Sequence, residues 1–365
     1  MDYGQIVKEQ LNNVIDHDQM KGIDEIGNQA SEISKGLSDQ FSFEDIIDAT
    51  LNGESIFDSG QLIESLKGLI VYEVRSAMII GTEILLICIA IGLLNNLASS
   101  FGKKSVSEVS LLICIMIIVG ISIKSFDTAY ELCMDSVTVM VNTMEILTPV
   151  LIGVLIATGN ITSGTIFSPV IIGAVTGTGI LLKKIILPAM FAATIMALIN
   201  CLTEKNYVNK LSKLIRNLAV GMTGMILAIM SGIITVQGLI TETSDGLIIN
   251  TAKYSLNTFI PIVGGFTSDT VELFLRCMGS IKSIVGVFGI ITLVLIIAVP
   301  IIKILIIALI YKLTAAAAEP IAESKISDGL NDMGSCLVSM ASIMFFAALL
   351  FIIFISVIVG TGNAG

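Results

Sequence analysis

The residues of this chain able to do chemistry are few, and several sit where ionisable groups are costly. Glu145 lies one helical turn before Pro149, with Gly153 four residues further on, and Lys303 lies three residues after Pro300. All are in apolar runs, where an ionisable side chain tends to mark a path, a pair or a relay. The Pro-x-x-x-Gly unit recurs as Pro261 and Gly265, followed by Asp269 and Glu272. Proline removes an amide donor and glycine loosens the winding, so such a unit frees backbone groups at membrane depth. The chemistry on offer is ion pairing, a polar path, or gating at a helix break. Its candidates are Glu145, Pro149, Gly153, Pro261, Gly265, Asp269, Glu272 and Lys303. A Glu145–Lys303 pair is one form that it can take. The plainer reading is that the prolines are kinks that let helices pack, and that Glu83 and Lys312 reach to headgroups.

Catalytic patterns are absent. The single histidine, His17, lies in an acidic segment with no partner in sight. That excludes a Ser–His or Cys–His pair within the apolar part. No HExxH, GxGxxG or Walker loop occurs. None of the six cysteines forms a CxxC, and no metal site or disulfide framework follows from their spacing. No enzyme, cofactor or metal is expected. The acidic balance, −10 overall, argues against nucleic acid.

The elements that must position these residues are membrane helices. The chain is 54% hydrophobic and only 14% charged, against about 25% charged in soluble domains. Residues 1–76 carry 15 acids and 5 bases, whereas 77–365 carry 15 of each. The acidic excess therefore belongs to an N-terminal region of short amphipathic helices. Ser42 to Asp45 reads as a helix start before Ile46 and Ile47, and Asp58 with Gln61 as another. Met1 to Met20 is polar and shows no signal-peptide core. Spans of near bilayer length are predicted at 77–97, 106–124, 137–158, 164–182, 185–202, 218–240, 279–299, 300–317 and 335–360. The stretch 252–275 is a short broken span or a re-entrant hairpin. The expected fold is an all-α polytopic membrane protein of about eight to ten transmembrane helices.

Two stretches repeat each other. Pro149 and Pro261 are 112 residues apart, as are Pro188 and Pro300, in a chain with six prolines. The same offset joins Gly153 to Gly265, Thr158 to Thr270 and Gly177 to Gly289. A duplicated membrane unit is a common basis of transport scaffolds. Basic loops at Lys103–Lys104 and at Lys205, Lys210, Lys213 and Arg216 belong in the cytoplasm by the positive-inside rule. An even number of spans must separate them, so the copies run parallel. The loops Asp127–Asp135 and Glu242–Asp245, and the head, then fall outside. Gly173, Gly177 and Gly179, with Gly221 and Gly224, read as close helix contacts. The resulting layout is a head over 1–76, a first span with its basic loop over 77–105 and repeat 1 over 106–204. A basic docking loop over 205–217, repeat 2 over 218–317 and a linker with a closing span over 318–365 complete it.

Several segments together resemble one family. They are TVQGLITETSDGLIINTAKYSLNTFIPIVGGFTSDTVE (235–272), ILPAMFAATIMALINCLTEK (186–205), IKILIIALIYKLTAAAAEPI (302–321) and the terminal VGTGN (359–363). Together they resemble the stage III sporulation protein AE family, in order, from about residue 40 to the end. The resemblance implies a multi-pass protein of the mother-cell membrane around the forespore. It implies partners from the same operon and a forespore membrane protein, in a channel or secretion-like complex that sustains the forespore. It supplies no catalytic residues. The family usually begins with a signal-like segment that this chain lacks, so the resemblance leaves the first forty residues aside. The function expected is therefore that of a membrane subunit of such a complex, possible homo-oligomerisation included. The rival readings are an autonomous secondary transporter of a small solute and a scaffold that recruits partners without a pore.

Overall fold

A computed structural model describes residues 3–34, 42–52, 59–101, 104–202, 208–259, 264–322 and 324–361, with side chains left undescribed over 237–273 and in some shorter stretches. Three short helices open the chain: α1 (Tyr3–Val14), α2 (His17–Ile33) and α3 (Phe43–Asn52). Each starts for a local reason. Asp16 and Gln19 form a capping box at α2. At α3 the Ser42 hydroxyl accepts from the Asp45 amide while the Asp45 carboxylate accepts from the Ser42 amide. This is the predicted start, and it satisfies two amides that a helix end would otherwise leave bare.

The remainder consists of the longer helices α4 (Ser59–Phe101), α5 (Lys104–Ala157), α6 (Ile161–Leu181), α7 (Leu187–Leu202), α8 (Asn209–Phe259), α9 (Gly264–Ala318) and α10 (Ser324–Gly360). A π-helical turn, Leu182–Ile186, carries α6 straight on into α7. Among the described residues, six stretches are long and apolar enough to cross a membrane: Ile63–Leu94, Leu112–Ala157, Ile161–Asn200, Asn209–Ile233, Phe274–Ala318 and Ser324–Gly360. The all-helical polytopic class is as expected.

The grouping of segments differs. Three pairs of predicted spans are each one continuous helical leg: 106–124 with 137–158, 164–182 with 185–202, and 279–299 with 300–317. The expected loop Asp127–Asp135 is the middle of α5, and Glu242–Asp245 lies within α8. The reason is local. The segment SFDTAYELCMDS (125–136) has charge but neither glycine nor proline, so nothing breaks the winding. Pro149, Pro169 and Pro300 are accommodated inside helices, as neighbouring helices permit in membrane bundles. Pro188 directly follows the π turn, where the α ladder is already interrupted. At 54 residues, α5 is about 81 Å long at 1.5 Å per residue. A hydrocarbon core of about 30 Å cannot contain that length, so these legs reach well past one bilayer.

The direction of each leg follows from its contacts. Gly81 abuts Ile310 and Thr314, and Gly92 abuts Ile321, so α4 runs parallel to α9. Gly289 meets Leu147 of α5 and Ile355 of α10, while Gly334 of α10 meets Ala308 and Lys312, so α10 runs against α9. Ile118 and Ser122 line one cavity with Leu198 and Leu330, and Val141 abuts Gly179, so α5 runs with α10 and against the leg of α6 and α7. The turns after α4, α7 and α9 therefore share one end, and Lys104, Lys210, Lys213 and Arg216 lie towards it. Two helical legs separate Lys104 from the other three, an even number as required. The head does not stand apart. Gly22 of α2 packs on Ile146, and Phe43 of α3 meets Phe288 of α9 edge-on with centroids 5.1 Å apart.

Candidate functional site

The centre of the bundle is filled. Phe126, Phe288, Phe351 and Phe354 are buried there among Met140, Met144 and Leu147. Such rings fill most of the described interior, where the buried polar groups are mainly hydroxyls such as those of Ser122, Ser125, Thr143 and Thr148. Polar surface must then be sought on the outside of the helices, and α5 carries it.

On α5 the inward positions Val137, Met140, Val141, Met144, Leu147 and Leu151 are buried. The opposite stripe is exposed and reads Asp127, Glu131, Asp135, Asn142, Glu145, Pro149, Gly153. The spacing is three, four or seven residues, so these groups share one face. Thus three of the predicted candidates, Glu145, Pro149 and Gly153, do come together, and four polar residues extend their stripe. Asp127, Glu131 and Asp135 stand at i, i+4 and i+8. Like charges at that spacing work against the helix, so helix formation alone does not account for them. Lys124, exposed one turn earlier, offsets part of the charge. The stripe was legible in the spacing, but it was taken for a loop.

Lys303 belongs to a different pair. Its Nζ is 3.2 Å from a carboxylate oxygen of Glu73 on α4. The Glu73 side chain is 10% exposed and that of Lys303 35%. Glu145 is on the outer face and does not meet Lys303. Glu73 was missed because it stands in the stretch assigned to the polar head. Removing one partner of such a pair strands the other in a poor dielectric. Lys303→Met is therefore expected to cost about 1–3 kcal/mol, reduced from the fully buried case by the partial exposure of the lysine. Adding Glu73→Leu should recover most of the loss. Thermal unfolding of the purified chain in detergent measures both. A double variant as unstable as the single one would show that packing, not charge, is at issue.

The basic residues of the predicted docking stretch are partly spoken for. Lys213 lies 3.4 Å from Asp332 of α10, and the Arg216 guanidinium points at the Cys336 sulfur at 4.0 Å. Lys210 is exposed. Lys205 and Pro261 lie outside the described residues, as do the side chains of Gly265, Asp269 and Glu272. Glu83 and Lys312 are exposed. Among the described residues no group of three or more His, Cys, Asp or Glu side chains is placed to hold a metal ion.

Two lysine features lie outside the candidate set. Lys183 and Lys184 sit in the π turn, with Lys184 fully outward. A π turn inside an α-helical leg is often retained for function. Lys282 of α9 is 1% exposed, and its Nζ donates to the Thr361 carbonyl at 2.6 Å. Thr361 belongs to the terminal VGTGN segment, so the last turn of α10 is tied to α9 through a buried amine.

A family model described as stage III sporulation protein AE matches residues 41–362. The chain is also similar to Stage III sporulation protein AE of Bacillus subtilis (strain 168), at 29% identity over 316 residues, which covers 86% of this chain and 78% of that one. No solved structure matches it.

Proposed function

The chain belongs to the stage III sporulation protein AE family, and from that premise we propose that it is the membrane subunit of a multi-chain channel or export complex between mother cell and forespore. A role in sporulation follows from the family. The finer reading rests on one observation: the acidic stripe of α5 is on its outside, whereas the positions facing inward, Val137, Met140, Val141, Met144, Leu147 and Leu151, are apolar. A protein built this way offers one wall of a path, or a docking face for other subunits. That build speaks against an autonomous carrier, since Glu145 is on the outer face and Lys303 is paired with Glu73. On this reading the chain makes and breaks no covalent bonds itself.

Three further elements complete the proposal. The basic end, with Lys210 exposed, faces the mother-cell cytoplasm and a cytoplasmic partner. The head packed on α5 and α9 faces the intermembrane space. The duplication rests on the 112-residue offset of the sequence, which places residues 161–202 within α9 but carries the end of α5 past the start of α9.

The test uses Glu145→Ala with Pro149→Ala. Pro149 is an exposed proline inside α5, and an interior proline costs a helix about 3 kcal/mol. Its replacement by alanine is expected to leave the fold as stable as before, or more so. Spore formation is nevertheless expected to fall by an order of magnitude, with the protein present in the membrane at its normal level. Normal spore counts from the double variant would remove the stripe from the mechanism.

A further inference from the structure

We propose that the outer face formed by α5 and α6 is the contact surface for a second copy of this chain, held by Asp135 of each copy against Lys183 and Lys184 of the other. The inference rests on the reading of α5 given above but goes beyond it, since it names the occupant of that face.

Four observations carry it. The first is charge. Asp135 and Lys184 are exposed and Lys183 is half-exposed, and no ion pair joins them among the described residues.

The second is position around the helices. Val141 of α5 abuts Gly179 of α6. At about 100° of rotation per residue, Asp135 and Gly153 lie ~120° round α5 from that contact, and Glu131 ~80°. Counted likewise from Gly179, Ile180 lies ~100° and Gly177 ~160° round α6, and Lys183 and Lys184 follow in the π turn. The helices run antiparallel, so equal senses of rotation place both stripes on one side of the molecule.

The third is height. Asp135 is six residues from Val141, about 9 Å along the axis, and Lys184 is five residues from Gly179, less than about 7.5 Å because three of them lie in the wider π turn, toward the same end. Copies inserted in one membrane share one orientation and depth, so only an axis along the bundle can relate them. Such an axis preserves height. An acid and a base at one height, unpaired within the chain, are therefore brought opposite each other by a two-fold axis, and twice over, as in a self-complementary interface.

The fourth is room. A side chain added at Gly153, Gly173 or Gly177 would meet nothing within 4 Å. Small residues let membrane helices approach closely, and among the described residues nothing makes that approach. Gly289, 112 residues after Gly177, is by contrast covered by Leu147 and Ile355.

The experiment uses two differently tagged full-length chains in membranes of sporulating cells. One carries Asp135→Cys and the other Lys184→Cys, in a background whose native cysteines are replaced. Oxidation is expected to give a disulfide-linked band of two chains bearing both tags. Independently of that background, the tags of otherwise wild-type chains should co-purify. Asp135→Lys in both chains should abolish co-purification, and Lys184→Glu added to both should restore it. No two-tag band and no co-purification would overturn the proposal, as would a link from Asp135→Cys to a different protein only. Spore counts separate the two readings. If Asp135→Lys blocks sporulation in a chain that never pairs with itself, the face serves another subunit. If the copies pair but Asp135→Lys cells form normal spores, self-association stands and the functional reading of the stripe falls.

Discussion

Lys282→Ala is expected to be among the most damaging single changes in the bundle, at about 2–5 kcal/mol of stability, the range for emptying a large buried site. Lys282 is 1% exposed and reaches from α9 to the Thr361 carbonyl at 2.6 Å. Two effects act there. The four-carbon stem fills space between α9 and the end of α10, and the amine occupies a carbonyl that the end of a helix leaves open. They are separable. Lys282→Met keeps most of the volume and removes the donor. Its loss should be about 1 kcal/mol or less, because the cost of an unpaired carbonyl is offset by no longer burying a polar amine. Hydrogen exchange at the last turn of α10 should accelerate in both variants, and thermal unfolding should distinguish them. Equal thermal losses in the alanine and methionine variants would assign the stability to the hydrogen bond, not the volume.

The case of Lys282 also shows what the sequence conceals. Apolar composition and helical periodicity are local properties, and they were enough for the polytopic all-α class and for the start of α3 at Ser42. The joining of helices is less local. A charged stretch such as 125–136 looks like a loop when each apolar run is measured against one bilayer thickness. Asp127, Glu131 and Asp135 nevertheless repeat at the helical spacing, and that period outweighed the charge. Tertiary partners were the least legible. Lys303 was matched to Glu145 because both lie near repeat prolines, yet α4 runs parallel to α9 and brings Glu73 to it. No pattern within a single segment reports which face of one long helix meets another. Lys282 was passed over for the same reason, since its partner is a backbone carbonyl 79 residues away.

Gly289→Leu and Gly177→Leu, 112 residues apart, should have opposite effects. At Gly289 an added Cβ would lie 2.8 Å from Leu147 Cδ1 and 2.9 Å from Ile355 Cδ1. Both distances are inside van der Waals contact, and Leu147 and Ile355 are themselves buried. A leucine adds three more carbons to that crowding, so α9 must move away from α5 and α10 together. Overpacking of a filled core costs about 1–3 kcal/mol, and a branched side chain between three helices should reach or exceed the top of that range. At Gly177 the same Cβ meets nothing within 4 Å. There the substitution gains helix propensity, up to about 1 kcal/mol over glycine. The isolated chain in detergent should therefore unfold at the same temperature as the wild type or slightly above it. The cost should appear only when two copies meet, because a leucine at Gly177 fills the space into which a second α5–α6 face would fit. Tagged Gly177→Leu chains are thus expected to be stable but to co-purify poorly, and Gly289→Leu chains to be unstable whether or not they pair. Lowered stability of monomeric Gly177→Leu would mean that the α6 face is already occupied within the chain. Full pairing by stable Gly177→Leu chains would place the contact between copies elsewhere than on α6.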